Sequence, residues 1–186
     1  SKGSNGRPPM NRLNLTLHLI IINLKEGILM THYPLPNTST DLTGQVAFVT
    51  GTTSGLGRRF AQVLAACGAK VAVTRRRADR LVALRQEIHA AGGTAVAIAV
   101  DMTDRGSIRA ALKEAEETFG TVTILVNNAG IPDAQRAVKM DDELVDAVFE
   151  TNLIGPWVLS VEVAKRLIDT ELPGRIVNIA SVAAFN

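Results

Sequence analysis

The chain has 186 residues, 46% of them apolar and 20% charged, which is enough for one globular domain with a hydrophobic core of ordinary size. Its formal net charge is only +2 and aromatic residues make up 4%, so the composition gives neither the broad basic face nor the stacking side chains of a nucleic-acid-binding protein. The single cysteine, Cys67, cannot form an intramolecular disulfide. We expect it to be a small core residue of a protein in a reducing, cytoplasmic compartment.

Residues 1–40 differ in character from the rest of the chain. Their one apolar run, residues 13–24, is interrupted by polar side chains, and turn-rich sequence follows it. A bilayer span needs about 20 consecutive apolar residues, so we predict no membrane segment. A signal peptide is the alternative, since Arg12 precedes the run, although no small-residue cleavage pattern follows. We expect residues 1–40 to be a disordered or adventitious extension, and translation that begins at Met30 is one explanation for it.

From residue 41 onward, short apolar runs alternate with longer amphipathic segments. The runs are nearly continuous in apolar character, as strands buried on both faces are, and they cover residues 46–50, 71–74, 95–100, 124–127 and 176–179. Apolar residues at helical spacing predict helices at residues 57–67, 78–91, 107–119 and 142–168. Strands that alternate with helices predict right-handed crossovers and therefore an α/β fold with a doubly wound parallel sheet.

The first predicted strand leads directly into a glycine-rich turn, Thr-Gly-Thr-Thr-Ser-Gly-Leu-Gly at residues 50–57. Glycines let the backbone turn tightly and approach a pyrophosphate, whose charge the free amides and dipole of a helix N-terminus stabilise. A plain turn without a ligand is the alternative, but a strand before and a helix after favour a phosphate site. We expect the missing side chain of Gly51 to leave room for the pyrophosphate. The expected cofactor contacts in this turn are Gly51, Thr53, Ser54, Gly55, Leu56 and Gly57.

Three arginines follow the second predicted strand, in the sequence Thr-Arg-Arg-Arg at residues 74–77. An NAD-selective site has Asp or Glu at this place, about twenty residues past the glycines, to bind the ribose 2′-hydroxyl. A guanidinium instead pairs bidentately with a 2′-phosphate, which a carboxylate would repel. The sequence therefore predicts that NADP(H) is preferred over NAD(H), with Arg75 and Arg76 as contacts. The alternative is that these arginines only belong to a solvated loop.

The spacing Gly-x-x-x-Gly-x-Gly resembles the ordinary, non-extended branch of the short-chain dehydrogenase/reductase family. Four further motifs follow in the order of that family: Asp-Met-Thr-Asp at 101–104, Leu-Val-Asn-Asn-Ala-Gly at 125–130, Glu-Thr-Asn-Leu at 150–153 and Gly-Arg-Ile-Val-Asn-Ile-Ala-Ser at 174–181. The resemblance covers residues 41–186. It implies that they form a partial dinucleotide-binding domain of the Rossmann type, incomplete at its C-terminal side.

The resemblance also implies roles for particular residues. Arg76 matches the arginine of the family's common Gly-Arg-Arg loop, whereas Arg75 stands where that loop has glycine. Ser181 matches the catalytic serine and Asn152 the catalytic asparagine. Further cofactor contacts implied by the motifs are Asp101, Met102, Asn128, Ala129 and Gly130.

The catalytic Tyr-x-x-x-Lys motif of the family is expected beyond Ser181. The sequence has one tyrosine, Tyr33, which precedes the first predicted strand and is followed four residues later by Asn37. We therefore expect a chain truncated before its proton donor and inactive alone, and we expect the outer edge of the last predicted strand to lack a neighbour.

The function implied by the resemblance is NADP(H)-dependent interconversion of a carbonyl and a secondary alcohol. The substrate would be a small molecule, and no metal, nucleic acid or membrane would take part. The full-length protein would be a homo-oligomer. The alternative is a catalytically inactive module that binds a nucleotide or a protein partner.

Overall fold

The computed structural model describes residues 18–19, 39–131 and 137–181. The predicted extension, including Met30 and Tyr33, lies outside the described residues except at residues 18–19 and 39–40. All strand pairs are parallel, and the sheet has the order β1-β6-β5-β2-β3-β4. The strands are His18–Leu19 (β1), Val46–Thr50 (β2), Lys70–Arg75 (β3), Thr94–Ala99 (β4), Ile124–Asn127 (β5) and Arg175–Asn178 (β6). The predicted α/β fold with a doubly wound parallel sheet is confirmed.

The helices between the strands are Gly55–Ala66 (α1), Val82–Ala90 (α2), Arg105–Phe119 (α3), Asp142–Phe149 (α4) and Gly155–Asp169 (α5). Helix α3 begins where the Asp104 carboxylate accepts a hydrogen bond from the backbone N–H of Gly106, at 2.7 Å. A 3₁₀ turn, Ala78–Leu81, leads into α2. The predicted helix at residues 142–168 is instead two helices joined by a π-helical turn, Glu150–Ile154, which carries the candidate residue Asn152.

Strands β2, β3, β4 and β5 each contribute to two separate hydrophobic clusters, one on either face of the sheet. Phe48 belongs to the cluster on the side of α3 and α5, and its neighbour Val49 belongs to the cluster on the side of α1 and α2; both side chains are fully buried. Successive side chains of a strand point to opposite faces, so a strand covered on both sides is apolar at every position. This arrangement explains the nearly continuous apolar runs in the sequence.

Strand β2 lies at the centre of the reversal in strand order, between β3 and β5. The chain proceeds outward from β2 to β3 and β4, then crosses back to β5 and β6 on the other side. In open α/β sheets, ligands bind beyond the carboxyl ends of the strands at such a reversal. The glycine turn that follows β2 therefore lies where a ligand is expected.

Two expectations from the sequence are wrong in this structure. His18 and Leu19 pair with Val177 and Asn178, so the outer edge of β6 has a neighbour at these two positions. Pairing there covers part of an edge that otherwise recruits other chains. Cys67 is only half-buried because it caps the C-terminus of α1, outside the core.

Residues 142–169 form a 28-residue helical run that could cross a membrane by its length and composition alone. Its inner face belongs to the core, since Val158, Leu159, Val163 and Leu167 are buried in the same cluster as the sheet residue Phe48. One face of α5 therefore packs in the core, whereas 22% of the apolar window as a whole is buried and Phe149, Leu153 and Trp157 are exposed.

Candidate nucleotide-binding and catalytic site

A cleft of about 600 Å³ opens at the carboxyl ends of β2, β3 and β5. Most of the predicted cofactor contacts line it. The exceptions are Gly55 and Gly57, which lie in the first turn of α1, and Asp101, which is ion-paired to a lining residue. The lining residues are Gly51, Thr53, Ser54, Leu56, Arg75, Arg76, Arg77, Val100, Met102, Asn128, Ala129, Gly130, Ile131 and Thr151.

The lining residues that sequence reasoning missed are Arg77, Val100, Ile131 and Thr151. Each of them is the direct neighbour of a residue that was predicted. Arg77 and Thr151 lie inside motifs recognised in the sequence, whereas Val100 and Ile131 each lie one residue outside such a motif. Thr151 is also buried, and its hydroxyl has no hydrogen-bond partner among the described residues.

The glycine turn is shaped by its contact with the chain that follows β5. Gly51 has a φ of +69°, and a Cβ added there would lie 2.8 Å from Ala129 Cα. An added Cβ at Gly57 would collide with the Asn128 side chain and the Gly51 carbonyl. The expectation that the missing side chain of Gly51 serves the pyrophosphate directly is therefore wrong, because that space is taken by the backbone of Ala129. Gly55, with a φ of +56°, has no atom within 4 Å of an added Cβ.

Hydrogen bonds fasten the end of β5 to this turn. The buried hydroxyl of Thr50 accepts from the backbone N–H groups of Asn128 and Ala129, both at 2.9 Å. The Asn128 side-chain amide donates to the carbonyls of Thr50 at 3.0 Å and Gly51 at 3.1 Å. Asn128 thus holds the shape of the turn through its side chain.

The N-terminus of α1 has the properties of an anion site. Ser54 precedes the helix in an extended conformation, and among the described residues no side chain caps the first turn. No acidic residue lies in that turn. The first N–H groups of a helix have no partner within it and carry partial positive charge, so a phosphate fits here.

The arginines at the end of β3 are held by different partners. Arg75 is half-buried, and its Nη1 donates to the Thr53 hydroxyl of the glycine turn at 2.7 Å. Arg76 is exposed, and its Nε lies 3.2 Å from Asp101 Oδ2. Partial burial opposes ionisation of Asp101, but two hydrogen bonds from Thr103 and the charge of Arg76 outweigh it and lower the pKa of this carboxyl. With Arg75, Arg76 and Arg77 in the lining and the Asp101 carboxylate beside Arg76, this end of the cleft keeps a net positive charge.

A second groove, of about 780 Å³, lies between α5 and the carboxyl ends of β5 and β6. Both candidate catalytic residues, Asn152 and Ser181, line it. The Asn152 amide donates to the Ile131 carbonyl at 3.0 Å and accepts from the Ile131 N–H at 2.9 Å. Asn152 therefore holds the backbone just after the Leu-Val-Asn-Asn-Ala-Gly motif at the end of β5, where the two grooves adjoin.

A buried polar group in the second groove was not predicted. Asn127 Nδ2 donates to Asn178 Oδ1 at 2.9 Å and to Ser160 Oγ at 3.0 Å. Ser160 in turn donates to the Pro156 carbonyl at 2.7 Å. Asn127 is 4% exposed, and its Oδ1 has no partner among the described residues. These side chains tie α5 to the ends of β5 and β6.

A parallel sheet with a glycine turn and an uncapped helix at its point of reversal defines a Rossmann-like nucleotide-binding fold. Residues 45–186 match the family model described as short chain dehydrogenase. The chain belongs to the short-chain dehydrogenase/reductase family of oxidoreductases.

Individual relatives agree with this assignment. The chain is 39% identical over 143 residues to a galactitol 2-dehydrogenase of Agrobacterium fabrum, which covers 76% of this chain and 54% of that protein. It is 38% identical over 150 residues to a 3-oxoacyl-(acyl-carrier-protein) reductase of Synechocystis, which covers 78% and 59%, respectively. The chain thus spans little more than half the length of these two relatives.

Among solved structures, a metagenomic short-chain oxidoreductase in complex with NADP is similar to this chain, with a TM-score of 0.74 and 36% sequence identity. The match covers 80% of this chain and 66% of that chain. The similarity therefore extends over most of the described residues.

Proposed function

We propose that this chain is the cofactor-binding part of an NADP(H)-dependent oxidoreductase that interconverts a carbonyl and a secondary alcohol in a small molecule. The observation that carries the proposal is the pair Arg75 and Arg76, which line the cleft at the end of β3. An NAD(H) site has a carboxylate there. The activities of the two relatives, a galactitol dehydrogenase and a 3-oxoacyl reductase, support the reaction class.

The residues of the cleft fit the parts of NADP(H) separately. The pyrophosphate fits the uncapped N-terminus of α1, at Ser54 to Leu56, because free N–H groups and no acidic side chain lie in this turn. The 2′-phosphate fits Arg75 and Arg76, and the adenine fits the buried side chain of Met102. The bound cofactor would supply or accept the hydride.

The chain's own residues would bind and orient the reactants. The Ser181 hydroxyl would donate a hydrogen bond to the substrate oxygen and so stabilise charge that develops on it. Asn152 would act by holding the Ile131 backbone between the two grooves, at the 2.9 and 3.0 Å contacts described above. Neither side chain is an acid of suitable pKa, so the proton of the reaction needs another group.

We propose that the tyrosine and lysine for this proton transfer belong to sequence beyond residue 186. Residues 1–186 alone would then bind the nucleotide without turnover. A cytoplasmic location and a homo-oligomeric full-length protein stay predictions. The alternative function is a catalytically inactive module that binds a nucleotide or a protein partner.

The proposal is tested by two measurements on the 186-residue chain: NADPH binding by calorimetry, and NADPH oxidation with a panel of ketones and aldehydes. We expect binding without oxidation. A chain that does not bind NADPH contradicts the cofactor assignment. Oxidation at an ordinary enzymatic rate contradicts the assignment of the proton donor to another part of the protein.

A further inference from the structure

The two arginines of the cleft differ in what a ligand must displace to reach them. Arg75 donates to a neutral hydroxyl, Thr53 Oγ1, at 2.7 Å, and within residues 39–131 and 137–181 it makes no ion pair. Arg76 is paired to the Asp101 carboxylate at 3.2 Å. A guanidinium has five N–H donors, so Arg75 keeps both its charge and most of its donors for a ligand.

Asp101 is the fixed member of the ion pair. Its Oδ1 accepts from the Thr103 N–H at 3.0 Å and from the Thr103 hydroxyl at 2.8 Å, and its own N–H donates to Ser107 Oγ at 2.9 Å. Arg76 is the more exposed member, because its side chain is 65% exposed whereas that of Asp101 is 34% exposed. The guanidinium is therefore drawn from the end of β3 towards the end of β4.

We propose that Asp101 is a specificity-determining residue that acts through Arg76. Its carboxylate holds the Arg76 guanidinium in an ion pair, so a ligand's 2′-phosphate binds Arg76 only by displacing that carboxylate. Arg75 is the phosphate ligand that is available from the outset. The inference rests on the proposed NADP(H) function and deepens it. Arg75 binds the 2′-phosphate directly, Arg76 binds it after leaving its ion pair, and Asp101 competes with the phosphate for Arg76.

The chemistry of the competing groups decides which ligand displaces Asp101. A phosphate carries about −1.5 to −2 charges and accepts two parallel N–H bonds from one guanidinium, so it outcompetes a single carboxylate. The neutral 2′-hydroxyl of NAD(H) does not. Exposed ion pairs are weak, so releasing Arg76 from Asp101 improves 2′-phosphate binding by about 2- to 5-fold.

The test compares two probes that lack nicotinamide, adenosine 2′,5′-bisphosphate and 5′-AMP, by calorimetry on the full chain. The ratio of their dissociation constants isolates the 2′-phosphate, because any contact of Asp101 with adenine affects both probes. Asp101→Asn is expected to raise the preference for the bisphosphate by about 2- to 5-fold. Asp79→Asn is the matched control, since it removes an exposed carboxylate near the same loop, and it is expected to leave the ratio unchanged.

A double-mutant cycle distinguishes two mechanisms: displacement of the Asp101 carboxylate from Arg76 by the phosphate, and direct electrostatic repulsion between Asp101 and the phosphate. If Asp101 acts through Arg76, Asp101→Asn has no effect on the ratio in an Arg76→Gln background. Arg75→Gln is also expected to lower the ratio more than Arg76→Gln does. An Asp101→Asn effect that persists without Arg76, or an unchanged ratio in Asp101→Asn itself, overturns the inference while the proposed function stands. An unmutated chain without preference for the bisphosphate overturns the proposed function as well.

Discussion

The hydroxyl of Thr50, at the end of β2, accepts a hydrogen bond from the backbone N–H of Asn128, just past the end of β5, at 2.9 Å. The same hydroxyl accepts from the next N–H, that of Ala129. One buried side chain thus joins the glycine turn to the second half of the sheet. The shape of the cleft depends on these two hydrogen bonds, because residues of the glycine turn and residues that follow β5 both line it.

Replacing Thr50 with Val keeps the shape of the side chain and removes the acceptor. Two N–H groups would lose their partner, so we expect a loss of about 1–3 kcal/mol in the free energy of unfolding and weaker NADPH binding. Thr50→Ser keeps the hydroxyl and is the control. Urea denaturation monitored by circular dichroism measures the difference; equal stability of the two variants would show that the Thr50 hydrogen bonds contribute little.

A clean test of the phosphate site uses Gly55 rather than Gly51. At Gly51 an added Cβ would lie 2.8 Å from Ala129 Cα, so a substitution there disturbs the fold. Gly55→Ala meets no atom within 4 Å, and the positive φ costs about 1–2 kcal/mol. We expect Gly55→Ala to weaken NADPH binding, because this residue lies between Ser54 and Leu56 of the cleft.

Gly44→Ala is the matched control for Gly55→Ala. Gly44 has a φ of +82° and no atom within 4 Å of an added Cβ, but it lies in the turn before β2. Both variants should lose similar stability in thermal unfolding. Equal NADPH affinity of the two variants in calorimetry would contradict the placement of the pyrophosphate at the N-terminus of α1.

The sequence predicted the fold well because its signals are local. Each predicted strand is a short apolar run, and the glycine turn, the arginines and the Leu-Val-Asn-Asn-Ala-Gly motif all lie at strand ends. In a parallel sheet such strand ends lie at the same edge, so the predicted fold implies that these motifs lie close together. The Asp104 cap also lay in the sequence, and reading it would have begun α3 two residues earlier, at Arg105 rather than Ser107.

The features that escaped prediction depend on contacts between distant residues. The sequence around Gly51 does not show that the backbone of Ala129 lies where a Gly51 side chain would be. The π-helical turn that interrupts the helical pattern at residues 150–154 brings Asn152 against Ile131, and the periodicity of apolar residues does not resolve such a turn. The pairing of residues 18–19 with β6 also joins segments far apart in the chain.

Stability at acidic pH should depend on the ion-pair network between α3 and α5. Glu162 accepts from Arg166 at 2.9 Å and from Arg109 at 3.0 Å, and these bonds lower its pKa below the ordinary value of 4.5. A carboxyl whose pKa is lowered by folding stabilises the protein above its unfolded-state pKa, and this contribution disappears as the pH falls through the folded-state pKa. Glu162→Gln should therefore cost about 1 kcal/mol at neutral pH and show a smaller loss of stability on acidification.

The control for this prediction is Glu117→Gln, which breaks only the exposed pair of Glu117 with Lys113, at 3.4 Å. Exposed pairs of this kind contribute little, so stability should change by less than about 0.5 kcal/mol. Urea denaturation at several pH values between neutral and acidic measures both variants. Identical pH profiles for Glu162→Gln and the unmutated chain would contradict the role given to Glu162.

Arg76→Asp should reverse the cofactor preference. The substitution removes an ion pair with the 2′-phosphate and adds a repulsion, which together shift the preference by about 1–3 kcal/mol towards NADH. An aspartate at this place can also accept hydrogen bonds from the ribose 2′-hydroxyl. Fluorescence titration with NADPH and NADH measures the shift in preference. An unchanged preference would contradict the assignment of Arg76 as a contact of the 2′-phosphate.

We propose that the arginines after β3 select NADP(H). Isothermal titration calorimetry of the unmutated 186-residue chain with NADPH and with NADH, in the same buffer and at the same salt concentration, tests it most directly. We expect tighter binding of NADPH, because only its 2′-phosphate would pair with Arg75 and compete with Asp101 for Arg76. Equal affinities for the two nucleotides, or tighter binding of NADH, would contradict it.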